Sequence, residues 1–257
     1  MPYLSKILLY PIKSLDGVEV SAATILPGGA LAQDREFAIV DAQGKWVNAK
    51  RTDQIHRLRS HYNLPDRTVT LKIDDQEATE TFHLDESRSP LESYLSDFFG
   101  FPVQLQQNLH MGFPDDVNAS GPTLVSVESL QTVATWFNLS AEEVRRRFRA
   151  NLEISDAPTF WEDQLLAEAG QLLPFSLGQV QFLGSHTCSR CVVPTRDSWT
   201  GDRNSQFQKQ FITRRQSEIP EGVKRDRFDH YYRFTLNTQV PATEAGKQLH
   251  LLDPIMM

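Results

Sequence analysis

The first hundred residues are a succession of short stretches rich in β-branched and apolar side chains, each ended by turn residues, and this rhythm limits the chain to a β-rich fold. Leu4 to Tyr10, Gly17 to Ile25 and Phe37 to Val40 read as strands, with Pro27-Gly28-Gly29 as a turn between the second and third. Asp41-Ala42-Gln43-Gly44 reads as a hairpin loop, and Trp46 and Val47 begin the return strand. Val69, Leu71 and Ile73 alternate with Thr68, Thr70 and Lys72, the period of a strand with one wet face.

Helices enter only afterwards. Ser89-Pro90-Leu91-Glu92 supplies an N-cap, a proline at the first helical position and a capping-box glutamate, and Leu91, Tyr94, Leu95, Phe98 and Phe99 fall on one helical face that Gly100 ends. A second helix is predicted from Ser126, burying Val127, Leu130, Val133, Ala134 and Phe137, and a third after Ser140, with Glu143 as its capping partner. Strands return beyond residue 150, at Val180 and Phe182 and again at Tyr232, Phe234 and Leu236. Strands and helices do not alternate regularly, which argues against a doubly wound parallel sheet and for an α+β, predominantly β architecture of barrels or sandwiches. The polar stretch Gln106 to Ser120 is the best linker, dividing the chain into 1–108 and 109–257.

With 257 residues, 40% of them hydrophobic and 23% charged, the chain can bury a core without disulfide staples. A net charge of −7 argues against a nucleic-acid partner. Ile7-Leu8-Leu9-Tyr10 before Pro11 and Lys13 is too short for a secretory segment, and no stretch approaches the roughly 20 apolar residues of a membrane span. The expectation is a cytoplasmic protein without a membrane partner.

Chemistry concentrates in Cys188-Ser189-Arg190-Cys191-Val192-Val193-Pro194-Thr195-Arg196-Asp197-Ser198-Trp199-Thr200-Gly201, which holds both cysteines of the chain. A thiolate is a soft metal ligand and a nucleophile. Zinc through His186, Cys188 and Cys191 lacks a fourth ligand and a second knuckle, and a thioredoxin-type dithiol should open a helix, which Val192-Val193-Pro194 does poorly. Two inert, buried thiols would leave Arg190, Asp197 and Gly201 unexplained. A second constellation is basic: Lys13-Ser14, Asp34-Arg35, Lys50-Arg51, and Arg145-Arg146-Arg147-Phe148-Arg149 running to Asn151. Each alone reads as a solvated surface, and Arg145 to Arg147 keep that reading. Together with a thiolate they suggest an anionic cofactor, because guanidinium forks and lysine point charges hold phosphate. There is no Gly-x-Gly-x-x-Gly or Walker loop and no nucleophile elbow, and the seven histidines are scattered.

The Cys-Ser-Arg-Cys segment, followed by Thr195, Asp197, Thr200 and Gly201, resembles the signature of the MOSC domain family, the molybdenum cofactor sulfurase C-terminal domains. Tyr10-Pro11-Ile12-Lys13-Ser14 with Gly17 and Asp34-Arg35 resembles the N-terminal β-barrel domain that accompanies MOSC in the amidoxime-reducing proteins and their bacterial counterparts. Phe148-Arg149-Ala150-Asn151 and Glu162-Asp163 resemble their Arg-Pro-Asn and acidic motifs, with Ala150 in place of proline. The resemblance implies a β-barrel-like domain over 1–108 and a MOSC-type β-barrel with flanking helices over 109–257. It implies molybdenum cofactor (a molybdopterin) as the bound group, with Cys191 as the metal ligand and catalytic residue. Lys13, Ser14, Arg35, Arg149, Asn151, Arg190 and Thr195 become cofactor contacts, while Asp197 is catalytic and, with Thr195, shapes the loop under the metal. The activity implied is reduction of N-hydroxylated small molecules, amidoximes or hydroxylamines. Electrons would come from a separate ferredoxin, cytochrome b5-like protein or flavin reductase, since the chain lacks the cysteines of an iron–sulfur domain. The alternative is a cofactor carrier or sulfur-transfer module. The chain departs from the resemblance at Pro194, Arg196 and Ser198-Trp199, and from Asp202 to Asp229.

Overall fold

A computed structural model describes residues 1–257. The fold is mixed, β-rich, and has four α-helices. The N-terminal half contributes strands β1 (Tyr3–Leu9), β2 (Val18–Val20), β3 (Ala22–Thr24), β4 (Phe37–Asp41), β5 (Leu58–Asn63), β6 (Thr68–Ile73) and β7 (Thr79–His83), then helix α1 (Arg88–Phe99) and β8 (Val103–Gln107). After a long connection come β9 (Leu124–Ser126), α2 (Val127–Phe137), α3 (Ala141–Phe148) and β10 (Leu152–Ser155). The remainder is β11 (Leu173–Leu177), β12 (Val180–Ser189), α4 (Phe207–Ser217), β13 (Arg233–Gln239), β14 (Gln248–His250) and β15 (Ile255–Met256).

An eight-stranded sheet organises the molecule, in the order β15-β11-β12-β13-β9-β10-β1-β2. Its far end belongs to the first twenty residues: β1 runs antiparallel to β10, with Tyr3 opposite Ser155 and Ile7 opposite Leu152. Hydrogen bonding thus crosses the connection expected to separate two halves. The opposite border also approaches β1, through Leu4 N donating to Asp253 O and Leu252 N to Leu4 O. Smaller sheets pair β4 with β8 and stack β5-β6-β7. Val69 and Leu71 of β6 are fully buried under α1, as the alternation predicts.

Helix boundaries follow local chemistry with one exception. Ser126 Oγ accepts from Ser129 N, and Ser140 Oγ from Glu143 N, so both expected caps form. Ser89, by contrast, lies inside α1, which begins two residues earlier with Ser87 at the cap position and no side-chain cap bond. Glu92, expected to complete a capping box, instead accepts from Leu105 N and ties α1 to β8. Gly100 ends α1 in the left-handed region (φ 76°), where a side chain would be strained. The expected strand from Gly17 to Ile25 is divided at Ser21 into β2, which pairs with β1, and β3, which pairs with β14.

Helix α4 sits in the polar segment after the cysteines. Its inward face is Phe207, Phe211 and Arg215, at a spacing of four, and it packs on Phe148 at the end of α3 and Phe234 of β13. One glycine is indispensable by geometry. Gly184 in β12 lies against the backbone of Leu165, and a Cβ would overlap the Leu165 carbonyl oxygen. Gly184→Ala is therefore expected to destabilise the fold by about 1–3 kcal/mol through backbone displacement; an unchanged urea midpoint would contradict this.

Candidate functional site

The site is built where three chain turns meet. Strand β1 ends at Leu9 because Tyr10 N turns to Asp34 Oδ1 (2.9 Å) and Pro11 has no N–H to continue a ladder. Lys13 N then donates to Phe37 O, and Ser14 adopts φ 75°. Arg35 N donates back to Tyr10 O, with Arg35 at φ 49°. Helix α3 ends at Arg149, the αL residue after its last turn, with φ 57° and its N–H on Arg145 O. Ser14, Arg35 and Arg149 thus all occupy the left-handed region that usually favours glycine, yet all keep a polar side chain directed to one place. Strain of this kind persists where side-chain position matters.

That place is a cavity of about 380 Å³, of the size that holds a small cofactor or ligand. Lys13, Ser14, Arg35, Arg149, Asn151, Arg190 and Cys191 all line it. The wall carries nine lysines and arginines against five aspartates and glutamates, on a chain whose net charge is −7. Such a local inversion of charge favours an anion.

Tyr10 is the floor of the cationic wall. Arg149 Cζ lies 4.1 Å and Arg35 Cζ 5.0 Å from its ring centroid, so two like charges share one aromatic ring. Burial raises the Tyr10 hydroxyl to about 12, with Arg149 and Arg35 opposing, so it stays protonated and donates to Ala150 O. Burial lowers Arg149, and its Nη2 is enclosed without a hydrogen-bond partner. Arg35 also suffers from burial, but Asp34 and Asp115 outweigh this and raise its pKa. Burial likewise lowers Lys13, whose ammonium meets Asp115 at 2.7 Å and donates to Phe113 O at 2.8 Å. Asn151 spends its amide on the scaffold: Nδ2 donates to Leu8 O, and Oδ1 accepts from Thr123 N and Arg35 Nη1. It fixes the Arg35 fork.

Both cysteines are free, partly buried, and on the same wall. They differ in surroundings. Arg190 Nη1 donates to Cys188 Sγ at 3.1 Å and Nη2 to Phe148 O at 2.7 Å, while Arg190 Nε is enclosed without a partner. Cys191 Sγ has no such donor and follows directly into the short 3₁₀ turn Val193–Thr195.

Thr195 and Asp197 lie away from the cavity surface. Thr195 is buried and its hydroxyl donates to Val192 O at 2.6 Å, closing the turn after Cys191. Asp197 Oδ1 accepts from Trp199 N and Thr200 N, and hydrogen bonding to that turn outweighs burial and holds its carboxyl below the usual range. Both residues shape the loop rather than touch the cavity. The solvated reading of Arg145 to Arg147 is corrected: Arg147 is 6% exposed, pairs with Glu143 (2.5 Å) and reaches Asp197 (3.4 Å), because α3 turns this edge onto the cysteine loop. Arg145 is held between Glu142 and the buried Glu153.

Sequence reasoning missed His56, from the 3₁₀ turn Gln54–Arg57, and Arg59, from the start of β5, both of which line the cavity. Burial, then Arg196 and Arg59, lowers His56 to about 4, so its ring is neutral at physiological pH. No group of three His, Cys, Asp or Glu side chains is placed to hold a metal ion, and the two cysteines are the thiol groups of the wall.

Molybdenum cofactor sulfurase from Drosophila grimshawi is 27% identical over 235 residues, covering 79% of this chain and 29% of that protein. The Danio rerio molybdenum cofactor sulfurase is 25% identical over 268 residues, covering 86% and 31% respectively. The chain therefore spans under a third of the length of these curated relatives. The crystal structure of the YUAD protein from Bacillus subtilis aligns over 99% of this chain and 94% of its own, with 10% identity and a TM-score of 0.41. Family models match in tandem, the MOSC N-terminal beta barrel domain over residues 1–98 and the MOSC domain over residues 118–245. The chain belongs to the MOSC domain family.

Proposed function

We propose that the cavity binds molybdenum cofactor and that the protein is an oxidoreductase acting on N-hydroxylated small molecules. The observation that carries this reading is the convergence of Cys191 with Lys13, Ser14, Arg35, Arg149 and Arg190 on one cavity. The residues fit the group in kind. A pterin phosphate requires hydrogen-bond donors, and Arg149 Nη2 and Arg190 Nε are enclosed donors without acceptors. A soft metal requires a thiolate, and Cys191 offers a sulfur that no protein donor occupies. When bound, the cofactor supplies two-electron chemistry: an amidoxime or hydroxylamine with two electrons and two protons yields an amidine or amine and water.

The chain's own residues do the rest. Cys191 would hold the metal, Arg149 and Arg190 would neutralise and orient the cofactor's oxyanions, and Arg35, fixed by Asp34 and Asn151, extends that cationic wall. Lys13, paired here with Asp115, would add an ammonium to the groups that hold the cofactor's phosphate. Thr195 and Asp197 hold the loop beneath Cys191. On this reading residues 1–108 and 109–257 are barrel-like units, and strand β1 of the first is shared into the sheet of the second through its pairing with β10. The protein works in the cytoplasm with a separate electron donor, a ferredoxin, cytochrome b5-like protein or flavin reductase.

Metal and pterin analysis of protein from a cofactor-competent host tests the reading, with near-stoichiometric molybdenum and molybdopterin as the expected result. Zinc bound in their place would refute it. Cys188 favours a second reading, a cofactor carrier or sulfur-transfer module, because a second thiol with an arginine on its sulfur stands three residues from Cys191. Reduction of benzamidoxime with an artificial electron donor supports the enzyme. Cofactor handed to an acceptor protein without turnover supports the carrier.

A further inference from the structure

The cavity has a second cationic pole that the proposed cofactor contacts do not use. Trp199, at the tip of the turn that Asp197 holds, is 45% exposed, and two guanidinium groups lie against its indole. Arg146 Cζ is 4.3 Å and Arg59 Cζ 4.9 Å from the ring centroid. Both arginines line the cavity, one from α3 and one from β5, so elements distant in sequence bring their charges to one ring. Arg59 is only partly satisfied: Nη2 donates to His56 O. Its Nε and Nη1 are enclosed without a hydrogen bond, and Asp16 stands 3.3 Å from Nη1 at ion-pair distance only. Beside it, His56 Nε2 is also enclosed without a partner. Arg146 pairs with Glu142 at 3.3 Å, and that carboxylate is shared with Arg145. The acidic groups acting on this pole are Asp16, Glu142, Glu143 and Asp74, and the first three are already engaged: Asp16 Oδ2 accepts from Ser60 N, Glu142 holds two arginines, and Glu143 holds Arg147 and accepts from Ser198 N.

Two guanidinium groups crowd together only at an electrostatic cost, and stacking on an aromatic face is the arrangement that leaves their N–H edges free for an acceptor. Enclosed donors without acceptors in a polar cavity call for a ligand that brings oxygen atoms. A planar carboxylate matches guanidinium forks in both shape and charge. We infer that Arg59 and Arg146, held against Trp199, form an anion subsite of the cavity, and that the substrates are N-hydroxylated compounds carrying a carboxylate. The identity of the reacting end rests on the reductase reading above. The anion subsite does not.

Calorimetric titration of the protein from a cofactor-competent host with benzamidoxime and with 4-carboxybenzamidoxime separates the two. The carboxylated compound is expected to bind about tenfold or more tightly, the worth of one charge-assisted fork. The R59Q/R146Q variant is expected to bring the ratio of dissociation constants close to one, and W199A, at an exposed position, to lower it several-fold with an unchanged thermal midpoint. R57Q, which removes an exposed cation outside the cavity, keeps the wild-type ratio. Equal affinities in wild type, or a ratio that survives R59Q/R146Q, would overturn the subsite. Preference for the carboxylated compound with no reduction of either by reduced viologen leaves the subsite standing and removes the reductase reading. Turnover of both compounds at equal affinity does the reverse.

Discussion

Cys191→Ala protein is expected to emerge from a cofactor-competent host without molybdenum and with reductase turnover lowered by at least about 100-fold, since loss of groups that merely support a metal ligand already costs 10–100-fold. The two thiols are not equivalent. Cys188 Sγ already accepts a hydrogen bond from Arg190 Nη1, whereas Cys191 Sγ faces the cavity without a donor. Cys188→Ala is therefore expected to retain molybdenum. Both side chains are small and only partly buried, so neither change opens a large void, and thermal midpoints should stay near that of the wild type. The measurement is molybdenum per chain beside turnover for both variants. Full molybdenum occupancy in Cys191→Ala would refute the ligand assignment, whatever its activity.

The largest stability effect is expected behind the site. Arg215 and Asp163 form an ion pair in which each side chain is 1% exposed, and Arg215 Cζ also lies 3.9 Å from the Phe160 ring centroid. Removing one partner strands the other, so Arg215→Met and Asp163→Ala are each expected to cost about 3–5 kcal/mol. The double replacement Asp163→Leu/Arg215→Met should recover much of the loss, because the desolvation of both charges disappears together. Burial raises the Asp163 carboxyl even though Arg215 opposes it, and burial with the neighbouring Asp163 charge raises Glu162. Removing Arg215 pushes both further up. A carboxyl with a raised native pKa favours the fold below its unfolded value, and that advantage is lost as pH rises through the native one. The Arg215→Met defect should accordingly deepen from acid towards neutral pH. Urea denaturation across that range is the check, and a loss independent of pH would contradict the account.

Much of this site was legible in sequence because its chemistry uses rare residue types or special backbone. The two cysteines, the Tyr10-Pro11-Ile12-Lys13-Ser14 turn and Arg149-Ala150-Asn151 advertise themselves, and the cavity gathers them. Ser126 and Ser140 announced α2 and α3 because capping is a local bond. Ser89 misled because its cap competes with another local choice: Glu92, free to reach back, instead bonds Leu105 N in a neighbouring strand. Helix α4 was hidden by its composition. Its buried stripe is only Phe207 and Phe211 with Arg215, and a buried arginine is indistinguishable in sequence from an exposed one until Asp163 is found opposite it. Arg147 and Arg59 were missed for the same reason. Their burial is decided by elements remote in the chain, the cysteine loop for Arg147 and the Trp199 turn for Arg59.

Strand β1 has a further meaning for how such a chain can be inherited. It borders β10 along Leu152 to Ser155, and the turn that follows it carries Lys13 and Ser14 into the cavity that holds Cys191. Genetic recombination that moved the second half alone would leave β10 with a bare, adhesive edge and halve the charge that faces the thiolate. The chain's earliest residues and its late cysteine loop thus complete one wall, and neither half presents the whole of it alone.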